Sequence, residues 1–220
     1  TTPPTITCPA DVTVECAVDV PSMFTTLADF LAGGGTADDN CGIADYTYSE
    51  VVSGTCPRIY TRTYTVIDSC LNETSCVHTI TQDDTTPPTI TCPADVTVEC
   101  AVDVPAMFTT LADFLAGGGT ADDNCGIANY TYSEVVSGTC PRIYTRTYTV
   151  IDSCLNETSC VHTITQDDTT PPTITCPADI TVECAVDVPA MFTTLADFLA
   201  GGGTADDHCG IANYTYSEVV

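Results

Sequence analysis

Lysine and tryptophan are absent from this chain, and its four cationic side chains, all arginine, stand against 30 acidic ones. At a formal net charge of −26, nucleic acid and anionic membrane are disfavoured as partners, because nothing here could replace their counterions. No apolar run is long enough to cross a bilayer, so no membrane insertion is expected. No signal peptide opens the sequence, which implies a leader removed or lying outside it. Without tryptophan, an aromatic-lined glycan groove loses its best residue. Histidine occurs three times and serine lies in no elbow motif, so no nucleophile–base pair can be assembled. Carboxylate pairs are so frequent that they identify no glycosidase. Gly33-Gly34-Gly35 lacks the lysine of a phosphate loop. The chain does not read as an enzyme.

What is present is one passage written three times. Residues 1–84 recur as 85–168, and 169–220 begin a third copy that stops within the motif order of the first two. Copies one and two differ only at Ser22/Ala106 and Asp45/Asn129. Copy three departs from copy two at Ile180 (for Val96) and His208 (for Asn124). Such a period marks an array of one folded unit, with repeats 1–84, 85–168 and an incomplete 169–220.

A unit this small has a thin core, and cysteine compensates. Each complete copy carries six: Cys8, Cys16, Cys41, Cys56, Cys70 and Cys76, then Cys92, Cys100, Cys125, Cys140, Cys154 and Cys160. Copy three keeps Cys176, Cys184 and Cys209. An even set per repeat reads as a disulfide framework formed in an oxidising compartment. Zinc is set aside, since no C-x-x-C pair occurs and His78 and His162 sit inside alternating strands.

Threonine, valine and isoleucine alternate over Thr5–Thr7, Val12–Val14, Ile59–Ile67 and Val77–Thr81, which predicts strands. Residues 43–52 predict one strand or a pair. Met23, Phe24, Leu27, Phe30 and Leu31 fall at helical spacing between Pro21 and the glycines at 33–35, which predicts a helix of two to three turns. The parity of Tyr60, Arg62, Tyr64, Val66 and Asp68 puts Arg62 on the core face, in an expected ion pair at the rim.

Three motifs then carry a family likeness: TTPPTITCPADVTVEC (1–16), TADDNCG (36–42) and YTRTYTVIDSCLNETSCVHTITQDDTTPP (60–88). In order and spacing they resemble the hyalin repeat and related immunoglobulin-like repeats of bacterial cell-surface adhesins, over essentially the whole copy. Leu71 stands where glycine is usual, and Tyr64 where tryptophan is common. The resemblance implies an all-β fold of tandem immunoglobulin-like sandwiches with seven strands, a short helix between the first two strands, and disulfide staples. It implies an extracellular place at the cell surface and an adhesive or scaffolding role. It also implies the pairing Cys8–Cys76, Cys41–Cys70 and Cys16–Cys56, with Cys92–Cys160, Cys125–Cys154 and Cys100–Cys140 in copy two and the hairpin Cys70–Cys76 as rival. Every cysteine of residues 1–168 is then expected to be oxidised.

Between copies runs Gln82-Asp83-Asp84-Thr85-Thr86-Pro87-Pro88, a linker stiffened by two prolines. Asp83 and Asp84 are expected near Asp122, Asp123, Asn124 and Asp152 of the next copy. Such hard oxygens are candidate calcium ligands, and Asp and Asn favour turns and caps in any case. Asn72, Asn129, Asn156 and Asn213 head N-x-Thr sequons, and Thr85 and Thr169 follow an aspartate in the Asp-Thr-Thr pattern that some bacteria with such adhesins O-glycosylate.

The sequence therefore predicts an extracellular structural protein, a stiff tandem-repeat stalk, filament or adhesin shaft, whose partners are further copies of the repeat in the same or a neighbouring chain. Two alternatives stand beside it. One is a pilus-like fibre assembled by strand exchange, since residues 169–220 contain no counterpart of 53–84 and should pack against such strands from elsewhere. The other is a surface module with a cell-surface or glycan ligand.

Overall fold

The computed structural model describes residues 2–218. It is mostly β, 41% strand against 12% helix, built as tandem all-β repeats. The residues gather into two compact units. One comprises Thr1–Pro93, Phe108–Tyr132 and Thr147–Cys160; the other comprises Ala94–Met107, Ser133–Arg146 and Val161–Val220.

The first unit holds all of copy one. Its elements are β1 (Thr5–Thr7), β2 (Val12–Val14), α1 (Leu27–Ala32), β3 (Thr36–Asp38), β4 (Ile43–Ser53), β5 (Arg58–Asp68) and β6 (Glu73–Gln82). Six strands form, not seven, because residues 43–53 run as one strand. β1 pairs antiparallel with β3, while β2, β6, β5 and β4 lie side by side in a second sheet in which β2 runs parallel to β6. β1 and β2 thus lie in different sheets. Pro9, which has no N–H to give a ladder, falls at the break, and Asp11 accepts from the Thr79 amide (2.7 Å) where β2 begins.

The helix is shorter than the periodicity predicts. Thr26 caps it, accepting from the Asp29 amide at 3.1 Å, so Pro21, Met23 and Phe24 precede it. It ends where Gly34 turns to a φ of 93°, and a Cβ at Gly33 or Gly35 would overlap the rings of Phe24 or Phe30. The resulting core is aromatic. Phe30, Tyr64, Val66 and Ile80 are fully buried, with Phe30 and Tyr46 packing on Tyr64 at centroid distances of 5.1 and 6.2 Å.

The parity of β5 holds as drawn: Arg62, Tyr64, Val66 and Asp68 are all buried. Arg62 lies deeper than the rim. Its Nε donates to Glu50 Oε2 (2.7 Å) and its Nη1 to the Ser22 carbonyl (3.2 Å). His78 is also buried, stacked on Phe24 at 6.5 Å.

Copy two repeats the order as β7 (Thr89–Thr91), β8 (Val96–Val98), α2 (Leu111–Ala116), β9 (Thr120–Asp122), β10 (Ile127–Gly138), β11 (Arg142–Asp152) and β12 (Glu157–Gln166). Within the first unit β7 pairs with β9; within the second, β8 runs parallel to the end of β12 from Ile164 to Gln166. The second unit also holds β13 (Thr173–Thr175), α3 (Leu195–Ala200) and β14 (Thr204–Asp206). Copy three was expected to be covered by strands like those of residues 53–84. Among the described residues no such strand covers it. Residues 180–182 form no strand, and Ile180 is 65% exposed.

Leu71 and Leu155 sit at φ of 67° and 69°, in the left-handed region that the glycine usual at this place enters freely. Both side chains are exposed, so nothing is gained from their packing. Leu71→Gly with Leu155→Gly should therefore raise stability by roughly 0.5–1 kcal/mol per site, read as a higher denaturant midpoint at unchanged m. A fall in the midpoint would show that the turn is held by something else.

Burial holds the His78 imidazole below its ordinary value, with Arg62 adding to the effect and Asp11 opposing it. The folded state then binds fewer protons than the unfolded state just below pH 6.5. This contribution is complete above that value and is lost as pH falls through it. Denaturation at pH 7.5 and 5.5 should show lower stability at pH 5.5, by at most about 1.4 kcal/mol per pH unit, with the slope reduced in His78→Gln. An unchanged slope in that variant would place the effect elsewhere.

Candidate functional site

The joint between copies one and two lies inside the first unit, and two disulfides cross it. Cys16 bonds to Cys125 and Cys56 to Cys154, with Cα–Cα separations of 5.0 and 5.2 Å. Cys125 and Cys154 are copy two's counterparts of Cys41 and Cys70. The links therefore run from one copy to the next. This overturns Cys16–Cys56, Cys41–Cys70, Cys100–Cys140 and Cys125–Cys154 as bridges within a copy. Only Cys8–Cys76 and Cys92–Cys160 close within one, each at 5.6 Å. In the second unit Cys100–Cys209 repeats the first of the joint's links, again at 5.0 Å.

Strand register explains the pairing. Val14 and Arg58 both pair with Gln82, so Cys16, after β2, and Cys56, before β5, share the end where the chain leaves copy one. Ile43 pairs with Asp68, so Cys41 and Cys70 share the opposite end. Each end presents two sulfurs to the neighbouring copy. Cys41, Cys70, Cys140, Cys176 and Cys184 are free and exposed. Of the cysteines in residues 1–168 that were expected to be oxidised, all but Cys41, Cys70 and Cys140 are bridged.

The linker is pinned as well. Glu15 accepts from the hydroxyls of Thr85 (3.4 Å) and Thr86 (2.7 Å), and from Asn124 Nδ2 of copy two (2.8 Å). In the second unit Glu99 takes the equivalent place, accepting from the Thr169 amide at 3.0 Å, and these threonine bonds hold its carboxyl below the usual range. Asn156 Nδ2 donates to the Asp84 carbonyl at 2.8 Å, a second polar tie across the joint.

Of the six candidate calcium ligands, three converge. One oxygen from each of Asp84, Asp123 and Asp152 lies within 4.8 Å of the others. Asp152 Oδ1 accepts from the amides of Cys154 (2.7 Å) and Asn156 (2.9 Å), and Asp123 Oδ2 from those of Cys125 (2.9 Å) and Gly126 (2.7 Å). Burial lifts the Asp84 carboxyl above its usual range, and Asp123, Asp152 and Glu15 push the same way against the Thr86 amide. The other three point elsewhere. Asp83 sits by the Cys56–Cys154 bridge, whose sulfurs are no longer thiolate donors. Asp122 is exposed at the end of β9, its carbonyl bound by Thr89, and Asn124 is engaged with Glu15.

The sequons divide. Asn72 and Asn156 spend their amides on Asp68 and Asp152 at 2.7 Å, so a glycan there would break a turn. Asn129 and Asn213 are exposed and use only Oδ1, to the following tyrosine amide. Thr85 and Thr169 are exposed but serve the glutamate clamps.

Neither protein-family models nor curated proteins give a match to this chain. Five disulfides mark it as a product of an oxidising environment, and no helix among the described residues is long and apolar enough to cross a membrane.

In Cys16→Ser, alkylation without reduction should newly label Cys125 and leave Cys56 unlabelled. Cleavage before aspartates puts Cys125 on one peptide, 123–151, with the already free Cys140, so that peptide should gain a second label while the Cys56 peptide, 45–67, gains none. New label on Cys56 would restore the pairing within a copy.

Proposed function

We propose that the protein is an extracellular structural element: a tandem-repeat stalk, filament or adhesin shaft whose partners are further copies of the same repeat. The observation that carries this is the double disulfide, Cys16–Cys125 and Cys56–Cys154, spent on joining one copy to the next rather than on closing a copy. Cross-links at a joint resist bending and pulling in a way that cross-links inside a domain do not. The glutamate clamp on the linker threonines works in the same direction. A surface of such negative charge keeps the chain from associating nonspecifically. No catalytic role is assigned to any side chain.

Antibodies against the repeat should label intact, unpermeabilised cells of the source organism in thread-like projections. On a denaturing gel the native material should run as one large chain with or without reductant. Signal confined to the cell interior would overturn the reading. Assembly from separate subunits by strand exchange is the alternative reading. Native material that breaks into small subunits in denaturant would establish that form instead.

A further inference from the structure

Two oxygens at the joint lack a donor. Asp84 Oδ2 and Asp123 Oδ1 are closed off from solvent and accept no hydrogen bond. Asp84 is 3% exposed and Asp152, beside it, 1%. A buried carboxylate oxygen with no donor bears its full desolvation cost, and a cluster of three adds mutual repulsion. The chain's own cations are committed elsewhere. Arg62 and Arg146 pair with Glu50 and Glu134, Arg58 and Arg142 lie over Tyr60 and Tyr144, and there is no lysine.

We propose that Asp84, Asp123 and Asp152 bind a hard divalent cation, calcium, at the joint between copies one and two. Calcium takes oxygen donors at about 2.3–2.6 Å, so oxygens on opposite sides of the ion stand about 5 Å apart at most. The three carboxylate oxygens already lie within 4.8 Å of one another. Magnesium demands a tighter octahedron, at about 2.0–2.1 Å, from groups free to close in. Here Asp123 and Asp152 are each held by two backbone amides, which fixes the carboxylates and limits that closure. Waters would complete the coordination sphere.

Half of the site is built before the joint forms. In copy one, Asp68 Oδ1 accepts from the Cys70 and Asn72 amides at 2.8 and 2.9 Å, and Asp39 Oδ2 from the Cys41 amide at 2.7 Å, in the poses of Asp152 and Asp123. The missing element is the Asp84-type carboxylate, which a neighbouring copy's linker delivers. The second unit shows that delivery again: Asp168 and Asp207, counterparts of Asp84 and Asp123, approach within 4.8 Å. The nearby Cys209 belongs to a disulfide and adds no ligand. Calcium binding here requires only the joint, whatever role the protein has outside the cell.

Calorimetric titration of the metal-stripped full chain with calcium chloride tests this, with magnesium chloride as a parallel arm. Calcium should bind with measurable heat, and Asp84→Asn should weaken that event at least tenfold. Asp83→Asn, one residue away but outside the cluster, should bind as the parent does. A weaker second event lost in Asp168→Asn belongs to the second unit. Should Asp84→Asn fail to form the Cys16–Cys125 bond, Asp123→Asn takes its place. No calcium heat at millimolar concentration, binding unchanged in the cluster variant, or magnesium binding as tightly as calcium would overturn the proposal. Each of those results would leave the copy-to-copy disulfides, and the reading built on them, standing.

Discussion

A disulfide that joins neighbouring copies constrains more chain than one that closes a copy. Cys8–Cys76 spans 68 residues, whereas Cys16–Cys125 spans 109 and Cys56–Cys154 spans 98. On the chain-entropy account all three loops are worth roughly 4–5 kcal/mol, the longer two exceeding the shorter by only about 0.4 kcal/mol. The greater consequence is coupling. In an ordinary repeat array, neighbours share a noncovalent interface and a terminal unit frays alone. Here a copy that unfolds drags on two sulfur bridges anchored in the next. Copies with only three-residue strands in their smaller sheet can rely on that connection.

The same links make the crowding of acids tolerable. Asp84, Asp123, Asp152 and Glu15 would separate if the joint were free to open, since repulsion between them is not offset by any arginine. Two covalent bridges, the Glu15 clamp and the bond from Asn156 to the Asp84 carbonyl hold the surfaces together against it.

Much of a single copy was legible in its sequence. Alternation identified β5 and β6 and put Arg62, Tyr64 and Val66 on one buried face, because strand parity is a local property. Helical spacing misled at Met23 and Phe24: both precede the helix, and Phe24 still packs against Phe30, Tyr64 and His78, since tertiary packing can satisfy an apolar residue without a helix. The cysteines expected to bond do share an end, Cys16 with Cys56 and Cys41 with Cys70. The pairing was not readable, because a period of identical copies cannot show whether Cys16 meets its own copy's cysteine or the next copy's. The carboxylates followed the same pattern. Loop placement brought Asp84, Asp123 and Asp152 into one neighbourhood, while the directions of Asp83 and Asp122 depend on strand pleat at positions where the sequence carries no periodic signal.

The few differences between copies show which positions the architecture leaves free. Ser22 and Ala106 differ only in a hydroxyl, and the structure uses neither side chain: each offers its carbonyl to the buried arginine, Arg62 at 3.2 Å and Arg146 at 3.1 Å. Asp45 and Asn129 differ in charge, yet each turns Oδ1 to the following tyrosine amide, at 2.8 and 2.9 Å, so the local geometry is kept. Asn124 and His208 are not equivalent in this sense. Asn124 reaches Glu15 across the joint, whereas His208 lies 3.7 Å from Asp103, an exposed pairing that exists only when the imidazole is protonated. The change falls on a polar contact beside the disulfide, and Cys100–Cys209 keeps the Cα separation of Cys16–Cys125 despite it. The position of the next copy is therefore set by sulfur, and the side chain next to it is free to vary.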